Sequence, residues 1–83
     1  MFDTILANVI AYYTKLINDP DVEITADSDL MDDLCLSSLE LLHGLMYLED
    51  TYGIIVPEKC LRRMLTVGDC ARGITELVEK HRQ

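Results

Sequence analysis

Residues 33–42 read DLCLSSLELL, and the serine pair at their centre separates an acidic, loop-like segment from a run of leucines. Ser37 followed three residues later by Glu40 is the pattern of a capping box, in which each side chain hydrogen-bonds the other residue's backbone amide. The pattern predicts a helix that begins at Ser38 and leaves its hydroxyl exposed. We expect Leu39 on the core face of this helix, where it would anchor the segment while Ser38 points outward.

Working outward from this start, apolar residues three or four positions apart predict three main helices and one short helix. The expected helices cover residues 3–17, 38–51, 58–64 and 66–81. A polar first loop joins the first two helices, and its isolated apolar residues are expected to attach it to the core. The fold class is therefore all-α, a small antiparallel bundle with a long first loop. With 83 residues, we expect one domain over residues 1–83.

The charge distribution limits the possible partners. The net charge is −8, no Lys or Arg lies between Lys15 and Lys59, and ten carboxylates lie from Asp19 to Asp50. Such a surface repels phosphate backbones and anionic lipids, so we expect neither nucleic acid nor a membrane as a partner. It attracts basic patches on other proteins. We expect the chain itself to be a monomer.

Three widely spaced cysteines do not form a disulfide framework or a zinc motif. We expect Cys35, Cys60 and Cys70 to be small, partly buried residues of a protein in a reducing compartment. Residues 27–29 resemble the opening of a calcium loop, but Asp32 occupies the position that requires glycine, so we expect no metal site. The N-terminal residues lack a basic segment before an apolar run, which favours a cytoplasmic location over secretion.

Catalytic patterns are weak. The sequence contains no Gly-x-Ser-x-Gly elbow, and His43 lies five residues after Ser38, more than one helical turn away. We therefore expect a protein that is not an enzyme. Because serine is among the best helix caps, the pair also fits a small acidic helical adaptor with no prosthetic group.

Three segments together resemble the acyl carrier protein family. They are residues 33–42, residues 48–57 (LEDTYGIIVP) and residues 65–69 (LTVGD), and the similarity extends from about residue 30 to residue 78. The resemblance implies that a phosphopantetheinyl transferase attaches 4′-phosphopantetheine from coenzyme A to Ser38, with Ser37 and Leu39 as the flanking motif. The thiol of the arm would carry an acyl group as a thioester for acyl-transferring and acyl-modifying enzymes.

The resemblance also implies a docking face on the second helix for enzymes with basic patches. The candidate docking residues are Glu40, Leu41, Met46, Glu49, Asp50 and Ile55. The candidates for lining a cavity around a bound chain are Leu42, Leu45, Ile74 and Leu77, and packing in the core explains these four residues equally well. The cargo stays open between a fatty-acid pathway, a dedicated polyketide-like pathway and the alternative of an aminoacyl or peptidyl carrier.

The chain departs from the family pattern at three positions. Ser37 replaces the usual Asp, which removes a negative charge beside the attachment site but keeps a capping residue. Cys35 stands where small residues, often glycine, are common. Gly44 interrupts the second helix at a cost of about 1 kcal/mol relative to alanine. It is interpreted either as allowing close approach of a partner or acyl chain, or as a neutral replacement.

Overall fold

The computed structural model describes residues 1–81 and has the expected all-α architecture. The helices are α1 (Phe2–Ile17), α2 (Ser38–Tyr52), α3 (Glu58–Leu61) and α4 (Val67–His81). No strand occurs among these residues, and Asp29 and Thr66 form an isolated antiparallel bridge. The fold class is confirmed, and the helix starts and ends agree with the expected ones to within one residue except at the end of α3.

The predicted extension of α3 to residue 64 is wrong, because the helix ends at Leu61. The amide of Arg62 still bonds to the Glu58 carbonyl, but the amides of Arg63 and Met64 bond to carbonyls three residues back, at Cys60 and Leu61. This spacing is tighter than the four-residue spacing of an α-helix. The chain therefore turns after α3 and brings Met64 back toward the interior.

Side-chain caps begin both α2 and α4. The amide of Glu40 donates to Ser37 Oγ at 3.1 Å, and the amide of Ser37 donates to Glu40 Oε1 at 3.0 Å. Thr66 and Asp69 repeat the arrangement ahead of α4, at 3.0 and 3.2 Å. Each box satisfies two amides that a helix start would otherwise leave without a partner. The capping predicted for α2 is confirmed, and it makes Ser38 the first helical residue.

The tightest part of the core lies where α1 packs against α4. Ile5 and Val9 of α1 and Val67, Ala71 and Ile74 of α4 are almost completely buried. Removing a large aliphatic side chain from water stabilises a fold by about 1.5–3 kcal/mol. This pair of helices is therefore the main stabilising layer of the protein.

The long first loop is attached to the start of α4. The Leu30 amide donates to the Leu65 carbonyl at 2.9 Å, and the Gly68 amide donates to the Ala26 carbonyl at 2.7 Å. A Cβ on Gly68 would lie 2.8 Å from that carbonyl oxygen, so glycine permits the close approach. Apolar residues of the loop, Leu30, Leu34 and Leu36, are buried in the core. These contacts fix the chain that leads into Ser38.

The core face of α2 is not the one expected for Leu39. Leu39 is 61% exposed, so its predicted place on the core face is wrong. The inward face consists of Gly44 and Leu48, which are buried, and Leu41, Leu45 and Tyr52, which are partly buried. Leu39, Leu42 and Met46 have helical spacing, and so do Leu41, Leu45 and Leu48. Contact with α1 places the second of these sets on the inward face.

Candidate functional site

Ser38 is the exposed first residue of α2. The cap is supplied by Ser37, and no hydrogen bond within residues 1–81 involves the Ser38 hydroxyl. The amides of Glu40 and Leu41 are bonded to Ser37, which leaves the amides of Ser38 and Leu39 free among the described residues. Free amides and the helix dipole favour a negative group at this position. The site can therefore accept a phosphoryl group.

An apolar cavity of about 230 Å³ opens beside Ser38. Four of its lining residues come from α2, and the others come from α1, the first loop, the α3 segment and α4. The lining residues are Ser38, Leu41, Leu42, Leu45, Tyr13, Leu30, Leu61, Met64 and Cys70. The structure thus joins an exposed hydroxyl to an apolar space within one site.

Two of the four residues predicted to line a cavity do so. The cavity prediction is confirmed for Leu42 and Leu45 and wrong for Ile74 and Leu77, and for Ile74 the alternative of core packing is confirmed. Ile74 is completely buried in the α1–α4 layer. Leu77 borders a different depression, next to Ile55 and His81. The cavity follows α2 rather than the last turns of α4, which the sequence spacing alone did not reveal.

The inner wall of the cavity carries two protonated groups, which the sequence interpretation missed. Tyr13 and Cys70 are each only 2% exposed. Burial raises the pKa of the Cys70 thiol to about 12 and raises the pKa of the Tyr13 hydroxyl well above its ordinary value. Both groups are therefore neutral hydrogen-bond donors at neutral pH. Tyr13 lies on the buried face of α1, and helical spacing alone does not reveal that its side chain borders a cavity.

Gly44 makes room for Tyr13. A Cβ at residue 44 would collide with the Tyr13 hydroxyl oxygen and lie 3.0 Å from Cζ of the same ring. The interpretation of Gly44 as a place of partner approach is therefore wrong, because α1 covers it. The alternative of a neutral replacement stays a prediction, and an alanine there would require the end of the Tyr13 side chain to move.

Known relatives identify the family. An acyl carrier protein of Clostridium perfringens is 39% identical over 80 residues, which cover 96% of this chain and 100% of the relative. A meromycolate extension acyl carrier protein of Mycolicibacterium aurum is 34% identical over 76 residues, 92% of this chain and 75% of the relative. No family model matches the chain.

The chain belongs to the acyl carrier protein family. The predicted family and acyl carrier function are thereby confirmed. An acyl carrier protein of Rhodococcus erythropolis adds a shorter match, 38% identical over 55 residues, 66% of this chain and 60% of the relative. These relatives are named as carriers, and carriers of this family work together with acyl-handling enzymes.

The six candidate docking residues of this carrier divide into two groups. Met46 and Ile55 are 52% and 83% exposed, and Asp50 is exposed as well. The remaining three, Leu41, Glu40 and Glu49, are half-buried.

Glu40 and Glu49 are bonded within the carrier itself. Glu40 accepts the Ser37 amide, and Glu49 Oε2 accepts the Val56 amide at 2.9 Å. The sequence interpretation missed two exposed leucines, Leu39 and Leu42, as docking candidates because it assigned them to the interior. The outer face of α2 is therefore more apolar than acidic.

The three cysteines lie in three different environments. Cys70 is buried and Cys60 is half-buried, but Cys35 is exposed, so its expected partial burial is wrong. Leu34 and Leu36 on either side of it are buried, and the residue between them faces the solvent. Cys35 also has a φ of 54°, the left-handed region that favours glycine. This explains why small residues suit the position.

Two further properties concern residues 1–81 only. No group of three or more His, Cys, Asp or Glu side chains is arranged there to hold a metal ion. Within the same residues, none of the helices has the length and apolar character needed to cross a membrane.

Proposed function

We propose that the Ser38 hydroxyl of this acyl carrier protein bears 4′-phosphopantetheine and that the adjoining cavity shelters the acyl chain. The observation that carries the proposal is the exposed Ser38 hydroxyl at the start of α2 beside an apolar cavity. When bound, the arm supplies a thiol that holds the acyl group as a thioester. The protein's own contribution is to position the arm, protect the chain and present both to enzymes.

Loading of Ser38 requires a phosphopantetheinyl transferase and coenzyme A. The serine oxygen bonds to the phosphorus that carries pantetheine, its proton leaves, and adenosine 3′,5′-bisphosphate departs with the broken phosphorus–oxygen bond. The phosphodiester formed would lie next to the free amides of Ser38 and Leu39. Ser37 holds the helix start through its cap, and the exposed Leu39 side chain is available for contact with the transferase.

The size of the cavity suggests the length of the cargo. A cavity of about 150 Å³ accommodates benzene, so a volume of about 230 Å³ corresponds to roughly nine carbon atoms. We therefore propose an acyl chain of medium length as the sheltered cargo. The relatives carry the names acyl carrier protein and meromycolate extension acyl carrier protein, and the pathway served by this chain stays open.

Partner enzymes are proposed to dock on the outer face of α2. The exposed apolar residues Leu39, Leu42 and Met46 would provide the contact area, and Asp50 would meet a basic patch of the enzyme. Ile55 would extend the contact beyond the end of α2. Contacts made by such exposed charges mainly set the association rate and the specificity of the encounter.

We further propose that the carrier acts as a single domain and a monomer in the cytoplasm. Three unpaired cysteines, one of them exposed, suit a reducing compartment. The proposed domain covers residues 1–83, and residues 82 and 83 lie outside the described part of the chain.

The test is the intact mass of the protein after incubation with coenzyme A and a broad-specificity transferase. We expect the wild type to gain one phosphopantetheine and Ser38→Ala to gain none. The matched control is Ser37→Asp, which keeps a capping oxygen and restores the residue usual in the family, and it should be loaded. Loading of Ser38→Ala, or failure to load the wild type, would contradict the proposal.

A further inference from the structure

The Tyr13 hydroxyl is a polar group in an otherwise apolar wall. Tyr13 is 2% exposed, and no hydrogen bond within residues 1–81 involves its oxygen. Every completely enclosed side-chain nitrogen or oxygen in the described chain has a hydrogen-bond partner. The Tyr13 oxygen is therefore not completely enclosed, and Tyr13 is one of the residues that line the cavity.

The arrangement around this hydroxyl is specific. A phenylalanine ring would fill the same position without bringing a polar atom to the cavity. The oxygen sits over Gly44, where any side chain would collide with it. Leaving a buried donor without a partner is unfavourable, so a ligand that offers an acceptor in the cavity gains more than one that does not.

The acceptor would belong to the inner part of the chain. Gly44 lies six residues after Ser38, which is about 9 Å along the helix axis. The Tyr13 hydroxyl is thus displaced from the attachment point toward the interior, and Cys70 lies in the same wall as a second, weaker donor. The remaining lining side chains, apart from Ser38 itself, are Leu and Met and provide no further donor.

We propose that the Tyr13 hydroxyl donates a hydrogen bond to an oxygen atom on the acyl chain, so that the cavity holds chains with an internal keto or hydroxyl group in preference to saturated chains of equal length. This inference rests on the proposed function, because the chain is delivered by the arm on Ser38. Tyr13 would then have two roles, because its side chain packs against Gly44 and its hydroxyl selects the cargo.

The experiment compares four cargoes on three proteins. The wild type, Tyr13→Phe and Tyr12→Phe are loaded with octanoyl, 3-oxooctanoyl, 5-oxooctanoyl and 7-oxooctanoyl phosphopantetheine. Tyr12 is the control because it stacks on Tyr47, with ring centroids 4.7 Å apart, and lies outside the cavity lining. The rate of thioester hydrolysis at mildly alkaline pH, followed by the loss of acyl mass from the protein, reports how well each protein shelters each chain.

We expect the thioester of at least one oxo chain to be cleaved roughly fivefold faster on Tyr13→Phe than on the wild type. This is the effect of losing one net hydrogen bond. Octanoyl cleavage should be unchanged in Tyr13→Phe, and Tyr12→Phe should behave as the wild type with all four chains. The inference would be overturned if the ratio of the cleavage rate on Tyr13→Phe to the rate on the wild type were the same for saturated and oxo chains.

A second measurement needs no variant. A ¹³C label at the keto carbon of the same oxo chain should resonate downfield on the wild type relative to the identical thioester of free phosphopantetheine, because hydrogen bonding deshields a carbonyl carbon. If none of the oxo positions shows a downfield shift, the inference is overturned, even if Tyr13→Phe does not fold.

If the wild type takes up no arm at all, the proposed function itself has failed. Normal loading without selectivity refutes only the role of Tyr13.

Discussion

The two sides of this carrier are built differently. Where α1 meets α4, side chains such as Val9 and Ile74 have no exposed surface. The α2 side instead borders a half-open cavity of about 230 Å³ and exposes Leu39, Leu42 and Met46 to solvent. The α1–α4 layer therefore supplies the closest packing, whereas the α2 side supplies the attachment site, the docking face and, together with Tyr13 and Cys70, the cargo space.

Truncation of one large side chain on each side of the molecule should give the largest difference in stability. We expect Ile74→Ala to lower the free energy of unfolding by about 2–5 kcal/mol, because it opens a void in a fully buried layer. Leu42→Ala should change it by no more than about 0.5 kcal/mol, since Leu42 is half-exposed beside a space that already exists. Urea titrations measure both values, and equal losses would contradict the division into layers.

Gly44→Ala tests the contact between the layers. Alanine is favoured over glycine in a helix by about 1 kcal/mol, but its methyl group would collide with the Tyr13 hydroxyl. We expect a net loss of about 1–3 kcal/mol from this overpacking. Adding Tyr13→Phe should recover part of the loss, because it removes the colliding oxygen. A Gly44→Ala protein more stable than the wild type would show that the ring moves freely.

Glu49→Ala tests whether this carboxylate belongs to the fold rather than to the docking face. Loss of its bond to the Val56 amide should cost about 1 kcal/mol, and urea titration again provides the value. The matched control Asp50→Ala removes an exposed carboxylate and should change stability by less than about 0.5 kcal/mol. Equal effects of the two substitutions would be inconsistent with the structural role of Glu49.

The smallest expected effect on stability is that of Leu39→Ala. Leu39 is exposed, so the free energy of unfolding should change by about 0.5 kcal/mol or less. The rate at which the transferase loads Ser38 should nevertheless fall, because the enzyme loses an apolar contact next to the serine. A stability loss above about 2 kcal/mol would return Leu39 to the core, as its spacing first suggested.

Local rules predicted most of this fold. The capping box of Ser37 and Glu40 placed the start of α2 at the correct residue, because the signal lies within four consecutive positions. Gly53, with a φ of 64°, caps its other end as a glycine at a helix C-terminus should. Sequence similarity in three short segments was then sufficient for the family and the candidate attachment serine.

What the sequence could not reveal depended on contacts between distant residues. Helix α2 carries two apolar stripes of helical spacing, one through Leu39, Leu42 and Met46 and one through Leu41, Leu45 and Leu48, and only the position of α1 selects the inward stripe. The role of Gly44 requires the Tyr13 hydroxyl from another helix. The cavity likewise depends on four separate segments that meet around α2.

The central claim is that the Ser38 hydroxyl carries the arm beside the cavity. The most direct measurement is peptide-level mass spectrometry of the wild-type protein after loading with coenzyme A and a transferase. We expect the added phosphopantetheine on Ser38, in the peptide that also contains Cys35 and Ser37. Phosphopantetheine found on Ser37 or Cys35, or a protein that stays unmodified, would contradict the assignment of Ser38.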